Sequence, residues 1–291
     1  MEIQQLIYLN AVVNYKSYTK AAASLHVSQP TISMALRKLE TELGIQLFEE
    51  DIKPLRLTPI GEKILERGTN ILIEHQNILS ESADLSTQST VSIRLGIPFT
   101  LYNDLPFLLN TEFLPKHTNI KLRLFQYGVE IITEKLQLGN LDVGLICKAS
   151  SSGFHSAEMN PLEFHAFFSP DHPLAQYSII TPNMLTNETL ILSELESNDI
   201  EKNISDYLSR YDIAHVRSSH GMLIPHTSIL LAEMNMGIAF LEKNFSSQKY
   251  KTLHAPLDPP LTLQMVVAWN KRKYISKAQK DLIHYLQKLR L

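Results

Sequence analysis

SYTKAAASLHVSQPTISMALRKLETELGIQLFEEDIKPLRLTPIG, residues 17–61, is the stretch on which the reading of the fold turns. Thr19 can cap a short helix through Ala21, Ala22, Ala23 and Leu25, because a hydroxyl accepts from free N–H groups and alanine is the best helix former. His26-Val27 makes a brief turn. Ser28 can cap the next helix, with Pro30 in its first turn, where a missing N–H costs nothing. That helix spaces Ile32, Leu36 and Leu39 at i, i+4 and i+7 on one face and sets Gln29, Ser33 and Arg37 on another. Two short helices joined by a tight turn, the second amphipathic with a polar and basic outer face, describe a helix-turn-helix. Upstream, Leu6, Ile7, Leu9, Ala11, Val12 and Val13 predict an earlier helix. Downstream of Gly44, Leu47-Phe48 and Leu55 with Leu57 flank a polar stretch. They predict a hairpin-like wing carrying Lys53 and Arg56 at its tip.

Charge is distributed to match. The formal net charge is −3, which on average does not suggest a nucleic-acid binder. Yet Ile3 to Leu39 holds Lys16, Lys20, Arg37 and Lys38 and no acid, while Glu40 to Asp51 holds five acids and no base. A local basic surface attracts phosphates even on an acidic protein.

Thr58 and Pro59 then open a long helix to about Leu85, roughly 40 Å at the α-helical rise. Ile64, Ile71, Ile78 and Leu85 recur every seven residues, as do Leu65, Leu72 and Leu79. A seam at the heptad period over about three heptads predicts helix-mediated dimerisation, and the under-60-residue domain before it offers little surface to cover so long a seam. Residues 86–90 form a small polar linker.

Beyond the linker, strands are expected at 91–97, 120–126, 141–147, 162–168, 189–193, 215–219, 237–241 and 261–269. Helices are expected near 100–114, 129–138, 199–210, 227–235 and 276–290. This is an α/β half with a largely parallel sheet or two small sheets, so the fold class of the whole is α+β.

Composition bounds the rest. At 291 residues, 44% hydrophobic and 20% charged, the chain is an ordinary globular sequence of about two domains. No apolar run reaches the roughly 18 residues of a membrane span, and the N-terminus lacks a signal pattern. Cys147 is the single cysteine, which excludes an intrachain disulfide and fits a cytoplasmic location and a buried structural thiol. No HExxH, GxSxG, GxGxxG or GxxxxGK[ST] motif is present, so neither a metal, a cofactor nor an enzymatic activity is expected.

The stretch 17–61 resembles the LysR-type transcriptional regulators, with a small-residue helix, Ser-Gln-Pro, Leu-Glu, Gly-x-x-Leu-Phe and Leu-Thr-x-x-Gly at fixed offsets. The run LPFLLNTEFLPKHTNIKLRL…LQLGNLDVGLI (105–146) is similar to the effector-binding half of that family, and HPLA (172–175) and MNMGIAFL (234–241) fall where the family has like segments. The resemblance implies a winged helix-turn-helix over 1–58, a dimerising linker helix over 59–88 and a periplasmic-binding-protein-like effector domain over 89–291. Lobe 1 would be 89–161 with 266–291, and lobe 2 would be 162–265. It also implies a homo-tetramer built as two dimers. Two positions depart from the family pattern: Glu50, followed by Asp51, and Met34 stand where basic residues are usual. They alter the expected base preferences rather than the expectation of binding.

On this footing the helix opened by Ser28 fits the major groove of double-stranded promoter DNA. Gln29 can bond an adenine edge, Ser33 a base or a phosphate, and Arg37 a phosphate or a guanine edge. Lys38, Lys53 and Arg56 suit the backbone, and Pro30, Thr31 and Met34 suit a thymine methyl. The plain alternatives are a solvated Gln29 and a Thr31 that only caps the helix. A small-molecule effector, an anionic metabolite such as a carboxylate, is expected beyond the carboxyl ends of the strands. Candidates there are Phe99 and Thr100 after the first strand, Tyr127 and Gly128 after the second, Lys148, Ser193, His226 and Thr227; ordinary caps and surface residues are the alternative for each. The rival reading is an α/β metabolite-binding or enzymatic domain with a non-specific DNA-binding appendage.

Overall fold

The computed structural model describes residues 1–49, 55–85, 90–101, 105–192, 199–213, 216–217, 225–245 and 250–289. Lys53 and Ser193 therefore lie outside the described residues, as does the side chain of Thr100. The chain forms two compact units, Met1–Thr87 with Arg272–Tyr274, and Gln88–Lys271 with Ile275–Leu291.

The first unit opens with α1 (Ile3–Tyr15), α2 (Tyr18–Ser24) and α3 (Gln29–Leu43). The expected cap at Thr19 is corrected by two residues: Ser17 is extended and its hydroxyl accepts from the Lys20 N–H, so the helix begins at Tyr18 and Thr19 lies inside it. Ser28 caps α3 as expected, and Pro30 sits in the first turn. Gly44 ends α3 at φ +66°, a left-handed turn that suits glycine. Ile32, Leu36 and Leu39 are fully buried beside Leu9, Val12, Ala21 and Leu47. The base of the wing is an antiparallel pair: Phe48 bridges Leu57, the Glu49 N–H donates to the Arg56 carbonyl, and the Thr58 N–H donates to the Leu47 carbonyl.

Helix α4 runs from Pro59 to Leu85. The Thr58 hydroxyl accepts from the Gly61 N–H and donates to the Gln46 carbonyl, fastening the helix start to the wing. Its first turns pack on the helices before it: Gly61, Gly68, Thr69 and Ile73 are buried, and Ile64 and Leu65 lie against the N-terminal core. Ile64 and Leu65, expected in an intermolecular seam, are thus partly buried within their own chain. Ile71, Ile78, Leu79 and Leu85 are exposed, Ile78 at 61% and Leu85 at 88%, and Leu72 is partly exposed. Further along α4, the Asn77 side chain donates to the Arg272 carbonyl and accepts from the Tyr274 N–H, and the Tyr274 hydroxyl donates to Asp84.

The second unit holds two five-stranded mixed sheets. The first, in order β2 (Ile120–Gln126), β1 (Val91–Ile97), β3 (Val143–Cys147), β10 (Met265–Asn270) and β4 (Phe154–Glu158), has β1, β2 and β3 parallel and β10 antiparallel between β3 and β4. The second, in order β7 (Val216–Arg217), β6 (Thr189–Ile191), β8 (Ile238–Glu242), β5 (Leu162–Phe168) and β9 (Leu253–Leu263), has β6 parallel to β7 and β8 and β5 antiparallel to its neighbours. Helices α5 (Leu105–Leu108), α6 (Val129–Gln137), α7 (Asp199–Arg210), α8 (Pro225–Glu233) and α9 (Lys277–Lys288) complete it. The helix expected over 100–114 is instead a 3-10 turn, the short α5 and a π-helical segment.

The single strand expected over 261–269 is two strands in different sheets, divided at Gln264. The chain crosses between the sheets there and again between β4 and β5. The two crossings are joined, because the Gln264 side-chain amide donates to the carbonyls of Met159 and Met265. One apolar core runs through both sheets, from Ile93 and Leu145 to Phe164 and Ile238, and a smaller one lies under α8. Cys147 is buried there, its thiol 3.6 Å from the Met265 sulfur.

Candidate functional site

The sequence marks α3 as the carrier of contacts, and its burial sorts the faces cleanly. Gln29, Pro30, Thr31, Met34, Arg37 and Lys38 are exposed and Ser33 is partly so, while Ile32, Leu36 and Leu39 face the core. Met34 is 71% exposed, a large apolar side chain offered outward on a polar face. Two of these residues already have work. The Thr31 hydroxyl lies 2.7 Å from that of Ser28, so it belongs to the helix cap. Lys38 is ion-paired with Glu2 at 2.9 Å, and the pair holds the Glu2 carboxyl below its ordinary range and the Lys38 amine above its own. Arg37 makes no ion pair among the described residues. Arg56 is exposed at the root of the wing, and together with Lys16, which ends α1, and with Val12, Phe48, Glu49, Leu55 and Glu62 it edges a depression of about 390 Å³.

In the second unit, strand register locates the other site. β1, β2 and β3 are parallel and end at Ile97, Gln126 and Cys147, so residues 98–101, 127–128 and 148 share one edge of the first sheet. The Lys148 N–H donates to the Gln264 carbonyl, which puts the inter-sheet crossing at that same edge. In the second sheet the start of β5 lies beside the end of β8, with Phe164 opposite Glu242, and the Lys243 N–H donates to the Glu163 carbonyl. Both crossings thus join the carboxyl edges of the two sheets, the place where open α/β sheets take ligands.

The candidates there differ in what they can offer. Pro98 is buried, Phe99 is exposed, and the Leu101 N–H donates to the Pro98 carbonyl, closing the turn that holds Thr100. Gly128 stands before α6, free of a side-chain cap, with open space where a Cβ would lie. The Tyr127 ring stacks on Phe125 and lies under the Lys135 ammonium at 5.1 Å, so its contacts run along α6. Desolvation holds the Lys135 amine below its ordinary value. Lys148 is ion-paired with Glu158 at 2.6 Å, which lowers the charge it brings to an anion. His226 opens α8, its Nδ1 2.8 Å from the Tyr250 hydroxyl, and Thr227 beside it is partly buried. Gln264 was not among the expected residues. The signal for it is a lone amide inside the apolar run LTLQMVVAW.

Among the described residues no group of three or more His, Cys, Asp or Glu side chains could hold a metal ion, and no helix is long and apolar enough to cross a membrane.

Comparison with known proteins adds the lineage. The family model described as bacterial regulatory helix-turn-helix protein, lysR family, matches residues 3–62, and that of the LysR substrate binding domain matches residues 86–290. The RuBisCO operon transcriptional regulator of Allochromatium vinosum is 33% identical over 200 residues, covering 67% of this chain and 64% of that protein. The HTH-type transcriptional regulator BenM of Acinetobacter baylyi is 32% identical over 145 residues, covering 50% and 47%. The matched stretch therefore spans about half to two thirds of these relatives. Among solved structures, full-length OxyR C199D from Pseudomonas aeruginosa superposes with a TM-score of 0.80 at 22% identity, covering 99% of this chain and 95% of that one. CbnR complexed with its target DNA gives 0.64 at 18% identity, covering 99% of each. With one family model on the helix-turn-helix and a second on the two-sheet unit, together spanning nearly the whole chain, this protein belongs to the LysR family of bacterial helix-turn-helix regulators.

Proposed function

We propose that the chain is a sequence-specific DNA-binding transcriptional regulator, acting as a homo-dimer or tetramer, whose activity is tuned by a small anionic metabolite bound between the two sheets. The observation that carries the first part is the outward face of α3. Gln29, Ser33 and Arg37 stand in line on it with Met34 exposed beside them, next to a short wing bearing Arg56. An α-helix of this kind fits the major groove, where Gln29 reads adenine, Met34 packs on a thymine methyl and Arg37 takes a phosphate or a guanine. Lys53 and Arg56 hold the backbone. Lys38 contributes to phosphate binding only by leaving Glu2.

For the metabolite, the N-terminus of α6 at Gly128 and the turn at Thr100 offer N–H groups at one sheet edge, and His226 with Thr227 opens α8 at the other. A carboxylate suits such donors. The ligand acts by preferring one arrangement of the subunits over another.

The decisive experiment mixes the purified full-length protein with sheared DNA of its own organism at about physiological salt and sequences what is retained. Enrichment of a few intergenic sites with an interrupted inverted repeat is expected. Even retention over the genome, or none, overturns the reading in favour of a metabolite-binding or enzymatic α/β domain. Titration calorimetry with small carboxylates, in the wild type and in Thr100→Val, tests the cleft; equal binding by both removes Thr100 from it.

A further inference from the structure

The base-rich end of the chain has no part in the sites above. Residues 271–291 carry seven Lys and Arg and one acid, Asp281, whereas the other 270 residues carry 20 bases and 29 acids. Within this segment α9 is sharply two-faced. Ala278, Gln279, Leu282, Ile283 and Leu286 are buried against the first sheet. The exposed positions are Lys277, Lys280, His284 and Lys288, at steps of three, four and four, so they form one stripe about 16 Å long at the helical rise. Lys280 and Lys288 make no ion pair among the described residues. Two acids, Asp281 on α9 and Glu112 beside Tyr285, are engaged elsewhere: Asp281 lies 3.8 Å from His117, and Glu112 accepts from the Tyr285 hydroxyl.

A row of ammonium groups on an otherwise acidic protein is an electrostatic footprint for a polyanion. Two polyanions compete for it, an acidic polypeptide and nucleic acid. Protein interfaces are centred on aromatic and apolar side chains and are depleted in lysine, and α9 exposes no large apolar residue. Phosphates need only point charges along a line, which lysines supply. We infer that the outer face of α9 is a second, sequence-independent contact for the phosphates of duplex DNA. The inference rests on the proposed DNA binding.

The test uses the full-length protein and a labelled random-sequence 60-bp duplex, with affinity followed by fluorescence anisotropy across a salt series. Lys280→Gln/Lys288→Gln is expected to flatten the slope of log affinity against log salt by about 1.8, and to cost roughly tenfold or more at 0.1 M salt. Lys280→Arg/Lys288→Arg keeps both charges and restores the wild-type slope, which separates charge loss from any disturbance of the fold. Arg37→Gln, on α3, marks the other site and lowers the slope by about 0.9. A Lys280→Gln/Lys288→Gln variant with unchanged slope, in a background where Arg37→Gln lowers it, overturns the α9 contact and leaves the regulator reading intact. If that variant instead keeps its slope but loses retention on a polyglutamate resin, the stripe serves an acidic polypeptide and the DNA assignment fails. A wild-type chain that binds no duplex overturns both.

Discussion

Gly61 stands directly against Leu47: any side chain at position 61 would run into the Leu47 carbonyl oxygen. That carbonyl also accepts from the Thr58 N–H. The wing and the start of α4 therefore share one point of closest approach, and only a residue without a Cβ lets them meet. Gly61→Ala is expected to destabilise the N-terminal unit by about 1–3 kcal/mol, the usual cost of forcing atoms into packed backbone. Gly128→Ala, where a Cβ meets nothing within 4 Å, is the control and stays near wild type. Urea unfolding of both variants checks the contrast.

The exposed part of the heptad seam makes a separate statement. Ile71, Ile78 and Leu85 lie outward at seven-residue steps, while Ile64 and Leu65 are partly buried against the N-terminal core of their own chain. Ile78→Lys is expected to shift the protein toward monomer in light scattering at micromolar concentration, because a charge at a central seam position opposes burial. Ile64→Ala, at a partly buried position, instead lowers stability by about 1–2 kcal/mol, with oligomer state unchanged for the folded fraction. Equal dimer content in Ile78→Lys and wild type would sink the seam assignment.

Base reading and backbone holding separate by mutation. Gln29→Ala is expected to relax preference at one base pair by about 1–3 kcal/mol with the salt slope kept. Arg56→Ala weakens all sequences alike and lowers the slope by about 0.9. Selection from a randomised-site library followed by salt titration reads both, and a loss of specificity in Arg56→Ala would reverse the roles.

His165 and His254 face each other across β5 and β9 with their Nδ1 atoms 2.9 Å apart, and His254 stacks on Phe167. Glu163 and Lys243 are the charged groups beside the pair. Burial, the largest cause for both, holds the two imidazoles below their ordinary 6.5. The unfolded chain therefore takes up protons first as pH falls. The stability these groups allow is present above 6.5 and is lost on acidification below it, down through their folded values. His254→Phe keeps the stacking and removes one titrating group, so the fall in melting temperature between pH 7.5 and pH 5.5 becomes shallower. An identical fall in wild type and His254→Phe would remove the pair from the pH response.

Much of this was legible from residue types alone where one local signal sufficed. Ser28, Pro30 and Gly44 bracket α3, and Thr58 with Pro59 opens α4, because caps and helix-start prolines act within a turn of themselves. Signals that depend on distant partners were not legible. β4 (FHSAE) is short, mostly exposed and recognisable only through its pairing with β10. β9 contains Pro256, Pro259 and Pro260, which argue against a strand; it survives as the sheet's edge, with residues 257–260 unpaired with β5 where the register shifts between Phe164 and His165, and with Leu257 buried and bridged to Ile180. Thr19 lost the cap to Ser17 because both are hydroxyl residues two positions apart, and only the backbone angle at Ser17 decides between them. At the site, exposure of the α3 face followed from periodicity, but the engagement of Lys38 by Glu2 and of Lys148 by Glu158 needed the fold to bring those acids near.

The crossing at Gln264 also sets an order of assembly. β3 lies between β1 and β10, and the β10 residue opposite Cys147 is Met265, 118 residues later in the chain. On the ribosome, at about 5–20 residues per second, β3 waits roughly 6–24 s for that neighbour. Everything needed for the second sheet, Leu162 to Leu263, emerges in the interval as one unbroken stretch. The sheet written later in the sequence is thus the one able to finish first, and the sheet begun first is closed only by the last strand to be synthesised.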